Sequence, residues 1–232
     1  AKLDNINYTK DTGREEKPEY DDVRNIVFGF KQRGGAGVLV ATNENEEIVK
    51  LLCDYIRAVK PDFVFSSIQI SRNSIYPVHI DKNNAGLSLV VTVGDYDGGG
   101  LYVAGKPMLA HNTPHLFDGN FPHGTLPVNR DNGNYYSIVC YTRKEVFKLE
   151  ETDEVRTELK ELGFNLPAHG DPVPSVLTNE EREKEEKAAR KDYDDDWVED
   201  WNKQDATVQW KRRAGLTGQE RKRAVEETEG AS

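Results

Sequence analysis

Apolar positions along this chain change their spacing several times, and each change marks a different kind of element. Residues 1–23 are polar and charged with no sustained period. A short apolar run at 26–30 reads as a strand, the Gly-rich stretch 34–37 as a turn, and 38–41 as a second strand. From residue 46 the period becomes helical. Ile48, Val49, Leu51, Leu52, Tyr55, Ile56 and Val59 recur at helical spacing in a helix that Asn43 and Glu46 would open and Pro61 would close, with one face on a core. Between 63 and 147 the spacing is that of strands. The runs 63–71, 87–93, 101–103, 115–117 and 135–142 are β-branched or aromatic and are cut by Gly, Asn, Asp and Pro.

Short strands behind one amphipathic helix predict a mainly β fold with flanking helices, an α+β arrangement built on an antiparallel sandwich or barrel. After about residue 150 the sequence becomes charge-dense. The mixed-sign run 180–191 suits an exposed helix, 192–205 is acidic around Trp197 and Trp201, and 211–213 and 221–223 are basic. The expected organisation is a polar extension over 1–24, a β domain over 25–150 with a buttressing helix at 43–60, and a charged helical or disordered tail over 151–232. The tryptophans of that tail would dock on a partner protein or on the domain itself. The chain begins at Ala1, as an excised or processed piece of something longer would.

Composition narrows the classes. Hydrophobic residues make up 36% and charged residues 31%, and the tail accounts for much of that polarity. No run reaches the ~18–20 apolar residues of a membrane span, and no basic-then-apolar signal segment opens the chain. Cys53 and Cys140 both sit in apolar runs without metal spacing, which fits buried thiols in a reducing, intracellular setting, cytoplasmic or nuclear. The net charge of -10 opposes whole-molecule attraction to nucleic acid, although a local basic groove is compatible with it. The Gly34–Gly37 turn has no Gly-Lys-Ser/Thr after it, and no Gly-x-Ser-x-Gly elbow or helical His-Glu-x-x-His is present.

The chemistry gathers on three residues. Tyr76-Pro77-Val78-His79-Ile80-Asp81 sets an imidazole and a carboxylate two apart, which on an extended strand puts both on one face. His123, in Phe121-Pro122-His123-Gly124-Thr125, supplies a second imidazole just before the last strand. Two imidazoles and one carboxylate occupy one face of an octahedron and leave positions open, the facial-triad donor set of non-haem Fe(II) oxygenases. His111 and His115 read instead as turn residues entering a strand, and His169 as a loop residue.

His79-x-Asp81, Gly86-Leu87-Ser88, Gly98-Gly99-Gly100-Leu101, His123-Gly124-Thr125 and Tyr136-Ser137-Ile138-Val139 together resemble the Fe(II)/2-oxoglutarate-dependent dioxygenases. The strings His-Ile-Asp-Lys-Asn-Asn-Ala-Gly-Leu-Ser and Gly-Asp-Tyr-Asp-Gly-Gly-Gly-Leu are most similar to the TET/JBP branch, which oxidises the methyl of thymine or 5-methylcytosine. The resemblance covers about residues 63–145. It implies a double-stranded β-helix (jelly-roll) core, Fe(II) on His79, Asp81 and His123, and 2-oxoglutarate and O₂ as co-substrates with ascorbate as reductant. It further implies hydroxylation of a C–H bond, with a methylated pyrimidine in DNA or RNA as the substrate. A peptidyl, prolyl or small-molecule hydroxylase and a non-catalytic jelly-roll binding module are the alternatives. The mouth of the site is expected along the loop 82–85 and the Gly-rich turn 95–100.

One departure stands out. Where the family carries Arg-x-Ser on its last core strand, to pair with the far carboxylate of 2-oxoglutarate, this chain reads Tyr135-Tyr136-Ser137. Ser137 fits the pattern. Tyr135 would donate a phenolic hydrogen bond, Arg143 shares the strand parity of Ser137, and Arg72 would meet the near carboxylate. Arg130 lies in a polar turn and reads as a surface residue.

Overall fold

The computed structural model describes residues 2–10, 24–81, 83–103, 106–126, 128–130, 133–174 and 177–192. The acidic segment around Trp197 and Trp201 and both basic clusters lie outside the described residues, as does most of the polar stretch before residue 24.

Strands dominate, all paired antiparallel. In chain order they are β1 (Thr9–Lys10), β2 (Arg24–Lys31), β3 (Gly37–Val38), β4 (Ser67–Arg72), β5 (Ser88–Gly94), β6 (Asp97–Gly98), β7 (Leu101–Val103), β8 (Lys106–Met108), β9 (His115–Phe117), β10 (His123–Thr125), β11 (Val128–Asn129) and β12 (Tyr135–Tyr141). The helices are α1 (Val40–Glu44), α2 (Glu46–Val59), α3 (Glu154–Glu161) and α4 (Asn179–Asp192). A large sheet runs β1-β2-β4-β12-β5-β9, with β3 also on β2. A small sheet, β10-β7-β8, and the pair β11-β6 make up the rest.

The large sheet has two different faces because side chains alternate along a strand. Ile68 and Ile70 on β4, Leu89 and Val91 on β5, and Tyr136, Ile138 and Cys140 on β12 all point to one side. There they meet Ile48, Val49, Leu52, Cys53 and Ile56 of α2, the apolar face that the helical spacing predicts. The opposite parity, Gln69, Ser71, Ser137 and Val139, faces a cavity. The core and the cavity therefore share one layer of backbone.

Two local expectations change. The strand at 38–41 ends at Val38, and the chain turns into α1, with Leu39 still extended as its N-cap. The buried Thr42 hydroxyl explains the turn: it accepts the Gly29 N–H at 2.8 Å. The following helix is capped by Asn45 rather than Asn43, and the Asn45 side chain donates back to Ala41 O at 2.8 Å. Further on, the charge-dense stretch after residue 150 contributes Leu159, Leu162 and Phe164 to the main core. Asp153 caps α3 by accepting the Val155 N–H at 2.8 Å. Helix α4 sits where the mixed-sign run predicts a helix, and its Ala189 packs against Val78 and Leu126. Both cysteines are buried free thiols, and burial pushes Cys53 up to about 12 and Cys140 well above its ordinary value.

Candidate metal centre

Beyond β4 the chain leaves the large sheet and, at His79, meets the first residue of β10 in the small sheet. His79 and His123 form an antiparallel bridge in which each N–H donates to the other's carbonyl, at 2.8 and 2.9 Å. Residues directly opposite in such a pair project to the same side, and the two rings lie 4.3 Å apart between centroids. Asp81 is two residues further along this extended segment, its N–H held by Gly119 O at 2.9 Å. Only His123 lies on a regular strand, the first residue of β10; His79 and Asp81 join it through an isolated bridge and a single main-chain hydrogen bond.

Hydrogen bonds then fix which ring nitrogen faces inward. His79 Nδ1 lies 2.8 Å from Pro77 O, and His123 Nδ1 lies 2.9 Å from Phe121 O. A carbonyl only accepts, so Nδ1 carries the proton in each ring and Nε2 presents its lone pair. His79 Nε2 stands 3.8 Å from Asp81 Oδ1, and His123 Nε2 stands 3.8 Å from Asp81 Oδ2. Two atoms each bound ~2.0–2.2 Å from one ion lie at most ~4.4 Å apart, so both separations suit a shared divalent cation. The three form the one group of at least three His, Cys, Asp or Glu able to hold a metal among the described residues.

Two further residues shape the carboxylate. Asn84 Nδ2 donates to Asp81 Oδ2 at 2.8 Å. Gly119 lies directly beneath, where a Cβ would fall 2.5 Å from the same oxygen. Neither residue is conspicuous in the sequence. Asn84 belongs to the loop expected at the mouth, but nothing in its spacing marks it as a carboxylate partner.

A cavity of about 220 Å³ runs from this cluster along β12. Tyr135, Ser137, Val139, Tyr141 and Arg143, every second residue, line it together with Gln69, Ser71, Tyr76 and Thr125. Burial raises the Tyr141 phenol to about 12, the Arg143 charge lowering it and the Asp81 charge raising it. Tyr141 thus feels both the carboxylate and the guanidinium. Arg143 stands at the end of the cavity near Asp81: the segment 83–85 pairs with 142–144, with Asn84 bridged to Arg143.

The four residues expected at the co-substrate divide. Tyr135, Ser137 and Arg143 line the cavity, whereas Arg72 does not. Arg72 has the parity of Ile68 and Ile70 and projects to the opposite face of β4, where its charge acts on Tyr8 and Tyr136. Tyr135 is 1% exposed, and burial holds its phenol far above the ordinary value. Its ring meets Tyr96 edge-on at 4.8 Å. The Gly-rich turn packs on this pair instead of forming the mouth: Gly99, at φ +72°, has no room for a Cβ, which would fall 2.8 Å from Tyr96 and 3.2 Å from Tyr135. The other histidines are elsewhere. His111 stacks on Tyr96, His115 lies on β9, and His169 contacts Leu149 O and Glu150.

No protein-family model matches the chain, and no curated protein matches it. Two solved structures resemble it. NgTET1 in complex with 5mC DNA is 14% identical with a TM-score of 0.41, over 62% of this chain and 65% of that one. A 2OG-Fe(II) oxygenase family oxidoreductase from Burkholderia pseudomallei is 22% identical with a TM-score of 0.40, over 55% of this chain and 70% of that one. The chain spans just under two thirds of the NgTET1 chain. Among the described residues, no helix is long and apolar enough to cross a membrane.

Proposed function

We propose that this protein is a mononuclear non-haem Fe(II) dioxygenase of the 2-oxoglutarate-dependent type. In this reading the two sheets form a double-stranded β-helix with the site between them. The observation that carries it is the convergence of His79 Nε2, Asp81 and His123 Nε2, with both Nδ1 atoms tied to main-chain carbonyls. Main-chain acceptors of this kind orient ligating imidazoles and raise their basicity. Iron, when bound, supplies the one-electron chemistry that lets O₂ react with a closed-shell organic substrate.

The reaction balances with one molecule each of O₂, a 2-oxo acid and a substrate C–H. One oxygen atom enters the new C–OH, and the other enters the carboxylate left when the 2-oxo acid loses CO₂. With 2-oxoglutarate that product is succinate. The chain's own part is to hold and orient. Asn84 keeps Asp81 turned toward the two imidazoles, Phe117 walls the His123 ring at 5.2 Å, and the alternating residues of β12 bound the co-substrate space. At about 220 Å³, this space is smaller than the ~300–1,000 Å³ of sites that enclose drug-sized ligands, so it suits a small 2-oxo acid. The substrate itself approaches from the mouth near Asn83 and Asn84.

For that substrate we put a methylated pyrimidine base first, on the motif strings around His79 and Gly98. A base must leave its stack to reach a buried centre. The test has two stages. Anaerobic Fe(II) followed by a 2-oxo acid is expected to give a weak visible charge-transfer band that His79→Ala abolishes. A protein that binds iron but shows no band with any 2-oxo acid is not a dioxygenase of this type. Mass spectrometry after turnover on methylated DNA, methylated RNA and proline peptides then reads the substrate, and oxidised methyl groups on the nucleic acid are the expected product.

A further inference from the structure

Resting on that reading, we infer that the co-substrate cavity selects a short 2-oxo acid with a single carboxylate, such as pyruvate or 2-oxobutyrate, over 2-oxoglutarate. Charge and shape agree at the two ends of the cavity.

At the closed end stands Tyr135. A second carboxylate five carbons along a dicarboxylate would have to lie there, and a guanidinium is what normally answers it. Tyr135 gives no such charge and no spare space. Its main chain is held from both directions, its N–H donating to Asn73 Oδ1 at 2.9 Å and its carbonyl accepting the Asn73 N–H at 2.8 Å. Asn73 sits at φ 56°, which aims both of its groups back at residue 135. The phenol ring is buried, packed edge-on against Tyr96 and closed over by Gly99, where even a Cβ would fall 3.2 Å from it.

The neighbouring polar groups are neutral and already engage one another. Ser71 Oγ and Tyr76 Oη are 2.9 Å apart, and Gln69 Nε2 donates to the same phenol at 3.4 Å. An anion placed among them would be buried without a cation, which is strongly unfavourable.

At the metal end the situation is reversed. Arg143 is the one Arg or Lys lining the cavity among the described residues, beside Asn84 and therefore beside Asp81. Its side chain is 28% exposed and its Nε contact with Glu145 is 3.4 Å. It can answer the carboxylate next to the 2-oxo group, the one that both kinds of acid share. The oxygen balance is unchanged: pyruvate would leave as acetate and CO₂ where 2-oxoglutarate leaves as succinate and CO₂.

The experiment is an anaerobic titration of the full Fe(II)-loaded chain with pyruvate, 2-oxobutyrate and 2-oxoglutarate, following the charge-transfer band. The short acids are expected to half-saturate at concentrations at least about tenfold lower than 2-oxoglutarate. Tyr135→Arg should reverse that order. Arg143→Gln should weaken all three about tenfold and leave Fe(II) affinity unchanged. Tighter binding of 2-oxoglutarate by the unmodified protein would overturn the selectivity and leave the dioxygenase reading intact. Iron binding without a band for any of the three would overturn both. If Tyr135→Arg does not fold, the ranking in the unmodified protein decides the matter.

Discussion

At the level of single residues, the candidate metal centre is held by main chain more than by side chains. Each imidazole is oriented by the carbonyl two residues before it, and Asp81 is kept in place by Asn84 and by the missing side chain at Gly119. Asn84→Ala is expected to lower metal affinity about 10–100-fold, with little change in unfolding midpoint, in competition against a chromophoric chelator. Gly119→Ala should do the same for a steric reason, since its methyl would press on Oδ2 of Asp81. Little of this is written in residue types. His79, Asp81 and His123 are legible because a metal needs those donors at that spacing. Asn84 and Gly119 are ordinary loop residues until the fold brings Gly119 beside Asp81. Tyr135 was legible only as an absence of arginine, and what it does instead is a matter of packing.

At the level of elements, β12 divides its work by parity. Tyr136, Ile138 and Cys140 stabilise the sheet against α2, and the residues between them line the cavity. Ile56 of α2 is fully buried on the first side, so Ile56→Ala should cost about 2–5 kcal/mol in chemical denaturation. The folded variant should keep its Fe(II) affinity, because no cavity residue touches that face. The helix α2 and the long strands were readable from period alone. The strands β10 and β11 were not, since three and two residues rich in Gly and Asn carry no period. The helix α3 was hidden for another reason: Leu159 is embedded among charges, and Arg156, 1% exposed, reads as surface in any composition. One of its nitrogens, Nη2, pairs with Glu151 at 2.7 Å and donates to Pro167 O, while Nε and Nη1 are buried without a hydrogen-bond partner among the described residues.

At the level of the whole molecule, net charge and the proposed nucleic-acid substrate pull in different directions. A net charge of -10 repels a polyanion, and Arg143 is the one cation found along the cavity among the described residues. Association with a methylated oligonucleotide should therefore be weak and only mildly salt-dependent. A fall of about one to two decades in affinity per decade of salt is expected, since each neutralised phosphate contributes ~0.9. Anisotropy titrations at several ionic strengths would measure it, and single strands should bind better than duplex because the base is already free of its stack. A steep slope would instead point to a basic surface away from the cavity, along which Arg143 is the one cation among the described residues.

The shared ribbon of β12 carries one more consequence, for how such a protein can change over time. Substitutions at its odd-numbered residues can retune what enters the cavity without disturbing the oily side, so new preferences are reachable in single steps. Insertion of one residue near its start would do the opposite. It would exchange the two sets at a stroke, turning Ile138 and Cys140 toward the cavity and the hydroxyls into the oil. Variation along this strand is thus open at the cavity-facing residues and closed in length.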